Sequence, residues 1–223
     1  MHALELCIYC QTEPATTRDH APPKCLFGRP LPENLITVPC CSRCNASFAK
    51  DDEYFRAVLL IREGVYSHPE AQKSRGALLR SLAHPEGAGF SRMMFRSFEK
   101  ETPNFMSRME DPHGPPIRYA VDRHRVTRVL RRIVRALFWR HTTVALPVSS
   151  DIMVKPHDLA EYSLNNEYGP EVTMMLVGGK ADMIGDYVFW YQFARHEGTN
   201  FSVTLLQFFQ WVTFVACTFE PGD

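Results

Sequence analysis

Residues 7–50 read CIYCQTEPATTRDHAPPKCLFGRPLPENLITVPCCSRCNASFAK, and the rest of the chain is interpreted outward from them. Cys7-Ile8-Tyr9-Cys10 is one Cys-x-x-Cys pair, and Cys41-Ser42-Arg43-Cys44 is a second. Each such turn presents two sulfurs, and two turns together close the tetrahedral site that zinc takes. Four sulfurs leave no open position for a reacting water, so the expected site is structural. Cys40 precedes Cys41 and is the alternative ligand; the x-x spacing favours Cys41. Cys25 has no partner at ligand spacing and reads as a small packed residue. Any chemistry of the segment then falls to the polar residues between and beside the pairs.

Local patterns predict a hairpin and a helix. Thr16 to His20 reads as a strand, and Pro22-Pro23 blocks helix and forces a rigid exit. Leu35-Ile36-Thr37-Val38-Pro39 is a β-branched run expected to end at its proline. Asn45 suits a helix cap, or the helix starts near residue 50, where Asp51, Asp52 and Glu53 would favour a first turn. The acidic trio reads chiefly as helix-start charge, the alternative being that one of them assists a metal.

The order of Asp19-His20, Asn34-Leu35 and Cys44-Asn45, with Lys50 after it, resembles the HNH endonuclease family. It is most similar to zinc-stapled members whose last signature residue is Asn. The resemblance covers about residues 5–55. It implies a ββα-metal fold: a two-stranded hairpin, then a helix, with one catalytic divalent metal between them. It implies His20 as the general base, Asp19 and Asn45 as ligands of a catalytic Mg2+ or Mn2+, and Asn34 as the residue that ties the hairpin loop and orients His20. Cys7, Cys10, Cys41 and Cys44 would hold structural Zn2+. The implied activity is hydrolysis of nucleic-acid phosphodiesters, with DNA favoured. The set is chemically coherent, because the reaction needs a water, a base titrating near neutrality and a cation beside the phosphate. One carboxylate and one amide oxygen are hard ligands suited to magnesium or manganese. Asn45 in place of His is a departure that should weaken binding of softer metals. The rival reading is a zinc-stapled nucleic-acid- or protein-binding module whose HNH-like site is inactive.

Composition sets outer bounds. The chain has 223 residues, 45% hydrophobic, enough for one large domain or two small ones with a real core. Lysine and arginine number 25, as do aspartate and glutamate, so there is no general basic coat and phosphate binding must come from local patches. Four of the seven cysteines lie in x-x pairs, which argues for zinc in a reducing compartment rather than a disulfide framework. No signal peptide and no apolar run of membrane-spanning length is evident. The expectation is a soluble, cytoplasmic chain with no membrane partner.

Beyond the motif the period becomes helical. Tyr54 to Arg62 carries apolar residues at helix spacing, with Gly64 able to end the run, and Pro69 to Ala83 follows as a second helix. Phe90 to Phe98 is a short apolar-basic stretch read as helix. Residues 102–118, with Pro103, Pro112, Pro115 and Pro116, are the best loop or soft domain boundary. Asp122 to His141 is the clearest helix, with Val126, Val129, Leu130, Ile133, Val134 and Leu137 in one stripe. Arg123, Arg125, Arg128, Arg131, Arg132 and Arg135 make the rest basic, either as the solvated side of a core helix or as a phosphate-contacting face. A helix is expected near His157 to Asn165, and Met174 to Val177 reads as a strand before the Gly178-Gly179 turn. Tyr187–Phe193, Ser202–Leu206 and Gln210–Phe219 read as strands of an antiparallel sheet, with a turn at Gly198–Asn200. That sheet would be covered by the Arg-rich helix or by a partner chain, as in a homo-oligomer built through it. The expected class is α+β: a ββα-metal zinc module over residues 1–64, then residues 65–223 as an α+β region with a helical segment and a C-terminal antiparallel sheet.

Overall fold

The computed structural model describes residues 5–84, 88–96, 120–157 and 164–220. The proline-rich stretch 102–118 lies outside the described residues, as do 158–163 of the helix expected near His157 and the last two residues of the stretch Phe90 to Phe98. The architecture is α+β, with the cysteine cluster at the N-terminal end and an antiparallel sheet at the C-terminal end.

Strands β1 (Thr17–Ala21) and β2 (Ile36–Cys40) pair antiparallel, Asp19 opposite Val38 and His20 opposite Thr37. Pro39 does not end β2; it pairs with Arg18 at an edge, where its missing N–H costs no ladder bond. Helix α1 (Ser42–Leu60) starts well before residue 50. Its cap is Cys41, whose sulfur accepts from the Cys44 N–H, and Asn45 sits inside the first turn rather than at the cap. Asp51, Asp52 and Glu53 therefore lie in mid-helix, and helix-start charge is not their role. The buried face of α1 runs from Tyr54 to Leu60. Gly64 falls within the short α2 (Glu63–Tyr66), where an added Cβ would stand 2.7 Å from the Trp211 ring. Helices α3 (Pro69–Ala83) and α4 (Ala88–Arg96) follow, α3 with proline in its first turn as expected.

Helix α5 (Arg123–Thr142) is capped by Asp122, which accepts from the backbone N–H groups of His124 and Arg125. Its apolar stripe packs against α1 and the sheet. The sheet has the order β3-β7-β6-β5-β4 and every pairing is antiparallel. Its strands are β3 (Ile152–His157), β4 (Lys180–Ile184), β5 (Phe189–Arg195), β6 (Ser202–Phe208) and β7 (Val212–Thr218). Pleat alternation sends Phe189, Tyr191, Leu206, Phe208 and Ala216 into the core shared with α1 and α5. It sends Val203, Leu205, Val215 and Cys217 to the other side, against α6 (Leu164–Val177). The chain thus covers both faces of the sheet itself, with α5 on one and α6 on the other.

Met174 to Val177, read as a strand, is the last turn of α6. A four-residue apolar run does not distinguish strand from helix by period, and the turn chemistry just before it does. Gly169, at φ 84, breaks the helix there, and Pro170 restarts it. The long run from Gln210 to Phe219 loses Gln210 and Trp211 to a hairpin turn, where Phe209 and Gln210 take φ of 50 and 66, and Phe219 at its end. Trp190, Gln192 and their neighbours gain partners in β4, a strand with mostly exposed side chains.

The β1–β2 loop does not hang free of this sheet. Asn34 donates from its side-chain nitrogen to the Met183 carbonyl of β4 at 2.8 Å. Phe27 and Pro32 press on Gly185, where a Cβ would meet both within 2.9 Å. One buried cluster consequently runs from Ile8 and Val38 through α1 and α5 to Phe208 and Ala216. Among the described residues no helix is long and apolar enough to cross a membrane.

Candidate functional site

The sulfurs of Cys7, Cys10, Cys41 and Cys44 all lie within 4.8 Å of one another, Cys10 and Cys41 at 3.9 Å. Sulfurs about 2.3 Å from one tetrahedral ion stand roughly 3.8 Å apart, so the cage is the right size for a single metal ion. The two turns are locally built. Cys7 N–H bonds the Glu13 carbonyl and Gln11 N–H returns to the Cys7 carbonyl, while Gln11 takes a φ of 57 to turn the chain. Cys41 caps the first turn of α1 and Cys44 lies within it, and the Cys44 N–H points at the Cys41 sulfur. Cys41 rather than Cys40 completes the cage; Cys40 is buried beneath it with its thiol on the Cys41 carbonyl. Thr12 hydrogen bonds pull the Cys10 thiol down to about 6. Burial and the neighbouring Cys41 push Cys44 strongly upward, so the four cannot all ionise without a cation between them. The donor set is consistent with a structural zinc.

Beside this cage β1 and α1 form a cleft of about 390 Å3. Asp19 and His20 reach it from β1, and Asn45 from the first turn of α1. Arg18, Lys24, Asp52, Glu53 and Arg56 complete its charged wall. Asp19 is only 5% exposed. Its Oδ2 accepts the Tyr9 hydroxyl at 2.7 Å and lies 3.3 Å from Arg132 Nε, while Oδ1 takes no hydrogen bond among the described residues. Asn45 donates from Nδ2 to Thr17 Oγ1 at 3.2 Å, and that hydroxyl donates onward to the Cys40 carbonyl. The amide nitrogen is thus tied to β1, and its oxygen is left without a donor among the described residues. His20 makes no hydrogen bond or ion pair among the described residues. Burial first, then Lys24, lowers its pKa, and Asp19 only partly opposes them. The ring is neutral at neutral pH and keeps a lone pair for a proton.

Asn34 is not in the cleft. Its amide is committed to Met183, so it anchors the hairpin loop to β4 instead of orienting His20. Cys25 is packed as expected: burial, then Asp52, pushes its thiol up to about 12, and it sits 3.6 Å from the Asp52 carbonyl.

Three residues set the state of the cleft; the sequence reading named only Arg132 of them, as part of the basic face of its helix, and it is buried instead. Arg132, 4% exposed, donates to Asp52 Oδ1 at 2.6 Å and stands against Asp19 as an ion pair at 3.3 Å rather than a directed hydrogen bond. Its guanidinium lies 4.3 Å over the Phe48 ring, and Phe48 meets Tyr9 edge to face. Burial pushes Asp52 up to about 6 in spite of Arg132. Tyr9 is the second; as the residue just before Cys10, it carries the geometry of the cage directly to Asp19. Arg56 is the third, 3.6 Å from Glu53, which also accepts the Ser81 hydroxyl. The signal for Arg132 was available, because it shares the helical phase of Val129 and Ala136 on the buried side of α5. An arginine buried among apolar residues calls for a partner that offsets its charge.

The remaining arginines of α5 are largely engaged within the chain. Arg125 and Arg128 both bind Asp51, Arg131 donates to the Ile152 carbonyl, and Arg135 holds the carbonyls of Leu146, Pro147, Val148 and Ser150. Comparison of the chain with protein-family models, with curated proteins and with solved structures gives no match in any of the three.

Proposed function

We propose that the chain is an HNH-type endonuclease that hydrolyses phosphodiester bonds of nucleic acid, with DNA the substrate to test first. The observation that carries the reading is the meeting of Asp19, His20 and Asn45, from a strand and the first turn of the next helix, on one cleft beside a four-cysteine cage. A hairpin followed directly by α1 is the frame that the ββα-metal reading needs.

His20 takes the proton of the attacking water as the new P–O bond forms, and the leaving oxygen departs with the electron pair of the bond that breaks. Asp19 Oδ1 and the Asn45 amide oxygen fit a hard divalent cation, being two oxygen donors with no other partner among the described residues. Bound magnesium or manganese supplies the charge that offsets the phosphate's. Lys24 and Arg56 add fixed positive charge to the wall against which a phosphate would rest. Zinc held by Cys7, Cys10, Cys41 and Cys44 would tie the turn before β1 to the start of α1 and take no part in the reaction.

The test is plasmid cleavage by purified protein with magnesium, with manganese and without either, beside His20→Ala, with zinc measured on the same samples. Metal-dependent nicking that His20→Ala loses while keeping its zinc and its melting temperature supports the reading. A folded His20→Ala protein as active as the parent sinks it.

One observation favours a second reading. Asp19 is nearly buried and one of its oxygens is already held by Tyr9 and Arg132, as in a structural carboxylate. A zinc-stapled binding module with an inactive cleft would hold zinc, bind manganese no better in the parent than in Asp19→Asn, and cleave nothing.

A further inference from the structure

On the other side of Arg132 lies a larger groove, of about 780 Å3, between α1 and α5. Six cations line it, Lys50 from α1 and Arg125, Arg128, Arg131, Arg132 and Arg135 from α5, against the single carboxylate of Asp51. A concave surface with one sign of charge concentrates anions. Three of the six are bound within the chain and not exposed: Arg125 to Asp51 and the Lys50 carbonyl, Arg132 to Asp19 and Asp52, and Arg135 to its row of carbonyls. The other three keep donors. Arg128 uses Nε and Nη2 on Asp51 and leaves Nη1. Arg131 uses only Nε, on Ile152, and leaves both terminal nitrogens. The Lys50 ammonium has no partner among the described residues. All three side chains are exposed, and Arg128 and Arg131, three residues apart, share one face of α5.

We propose that this groove seats backbone phosphates of the same nucleic-acid strand whose scissile phosphate lies in the cleft, through Lys50, Arg128 and Arg131. The inference rests on the nuclease reading for its occupant. Continuity supplies the argument: Arg132 lines the groove while it touches Asp19 and Asp52, which line the cleft, so one side chain forms the wall between them. A polymer that places one diester in the cleft carries a charged phosphate at each neighbouring nucleotide. Guanidinium forks match phosphate oxygens, and the committed arginines hold the groove open and positively charged behind them.

The test is binding of short fluorescein-labelled DNA and RNA, single-stranded and duplex, by the zinc-loaded full chain without added magnesium or manganese, across a salt series. Neutralising Lys50, Arg128 and Arg131 to glutamine should flatten the slope of log K against log salt on duplex DNA by about 0.9 per lost contact, about 2.7 for all three, and weaken binding about tenfold or more at ~0.1 M salt. Lys50→Gln alone, which removes no contact among the described residues, should flatten it by about 0.9 and guards against misfolding of the triple variant. Arg123→Gln with Arg140→Gln, exposed cations that do not line the groove, should leave slope and affinity nearly unchanged. Equal slopes for parent and triple variant overturn the proposal, as do an equal loss in the Arg123/Arg140 control, preference for polyglutamate over every nucleic acid, or no binding by the parent. Groove-dependent binding with no cleavage under any metal leaves the groove standing and removes the nuclease reading. Cleavage with binding indifferent to the three substitutions does the reverse.

Discussion

Replacing Arg132 with methionine would remove the cation that lies between Asp19 and Asp52. Methionine keeps much of the volume over Phe48 but leaves two poorly hydrated carboxylates facing each other. Taking away one partner of a buried ion pair costs about 3–5 kcal/mol, because the other charge is stranded. In a chain of this length each kcal/mol is worth about 2–4 °C, so the melting temperature should fall by roughly 6–20 °C. The dependence on pH is the sharper test. Asp52 is raised in the fold to about 6 by burial, even though Arg132 pulls it down. A carboxyl raised above its unfolded value near 3.9 contributes stability that is complete below that value and is lost as pH rises through the folded pKa. Without Arg132 the folded pKa of Asp52 moves above 6, and the loss extends to higher pH. The variant should therefore stay close to the parent near pH 5, where Asp52 is largely protonated, and fall further behind toward pH 8. Adding Asp52→Asn should recover part of the deficit. Thermal melts of parent, single and double variants across that range decide the matter. A deficit under about 1 kcal/mol, or one that is flat or shrinks as pH rises, refutes the account of Arg132 as the cation that makes these carboxylates tolerable.

The cage should hold about one zinc per chain by elemental analysis. Cys10→Ser or Cys44→Ser should lose it, whereas Cys40→Ser should keep it. Tyr9→Phe removes one hydroxyl from Asp19; manganese affinity, read by titration calorimetry, should drop about 10–100-fold with zinc content unchanged, the usual effect of losing a group that orients a ligand. An unchanged affinity would mean that the Tyr9 hydroxyl does not position Asp19. The two glycines after α6 should differ sharply. In Gly179→Ala the new Cβ would stand 2.6 Å from the Phe193 carbonyl oxygen, which belongs to a strand and cannot swing away, so urea titration should show about 1–3 kcal/mol lost. Gly178→Ala meets nothing closer than 3.8 Å and should lie within about 1 kcal/mol of the parent.

Much of the site was legible because its spacing is local. Two Cys-x-x-Cys turns predict one cage, and the resemblance grouped Asp19, His20 and Asn45, which do line one cleft. The hairpin, the α5 stripe and the late strands followed from period and β-branched content. The failures fell where tertiary partners override local signals. Cys41 is a better start for α1 than Asn45, because a metal-binding turn wraps the first N–H groups there. The acidic trio looked like helix-start charge, but Asp51 and Asp52 pair with arginines 74 to 80 residues away, which no window on the sequence connects. Asn34 looked like part of the chemistry and instead binds a strand whose exposed, mixed sequence gave no sign of itself. The Arg-rich helix was an undivided basic face in the sequence; only side-chain geometry separates the arginines that brace the fold from those with donors to offer.

The anchoring of the β1–β2 loop on β4 bears on whether the first quarter of this protein is a portable part. A fragment that ended near residue 64 would lose the Met183 carbonyl that steadies its loop and the Gly185 surface under Phe27 and Pro32. It would also bare Phe55, Leu59 and Leu60, which the later sheet and α5 now cover. Grafted onto another protein, such a fragment would arrive with its four cysteines but without its footing. Anyone borrowing it must transplant the late hairpin of β4 and β5 together with it.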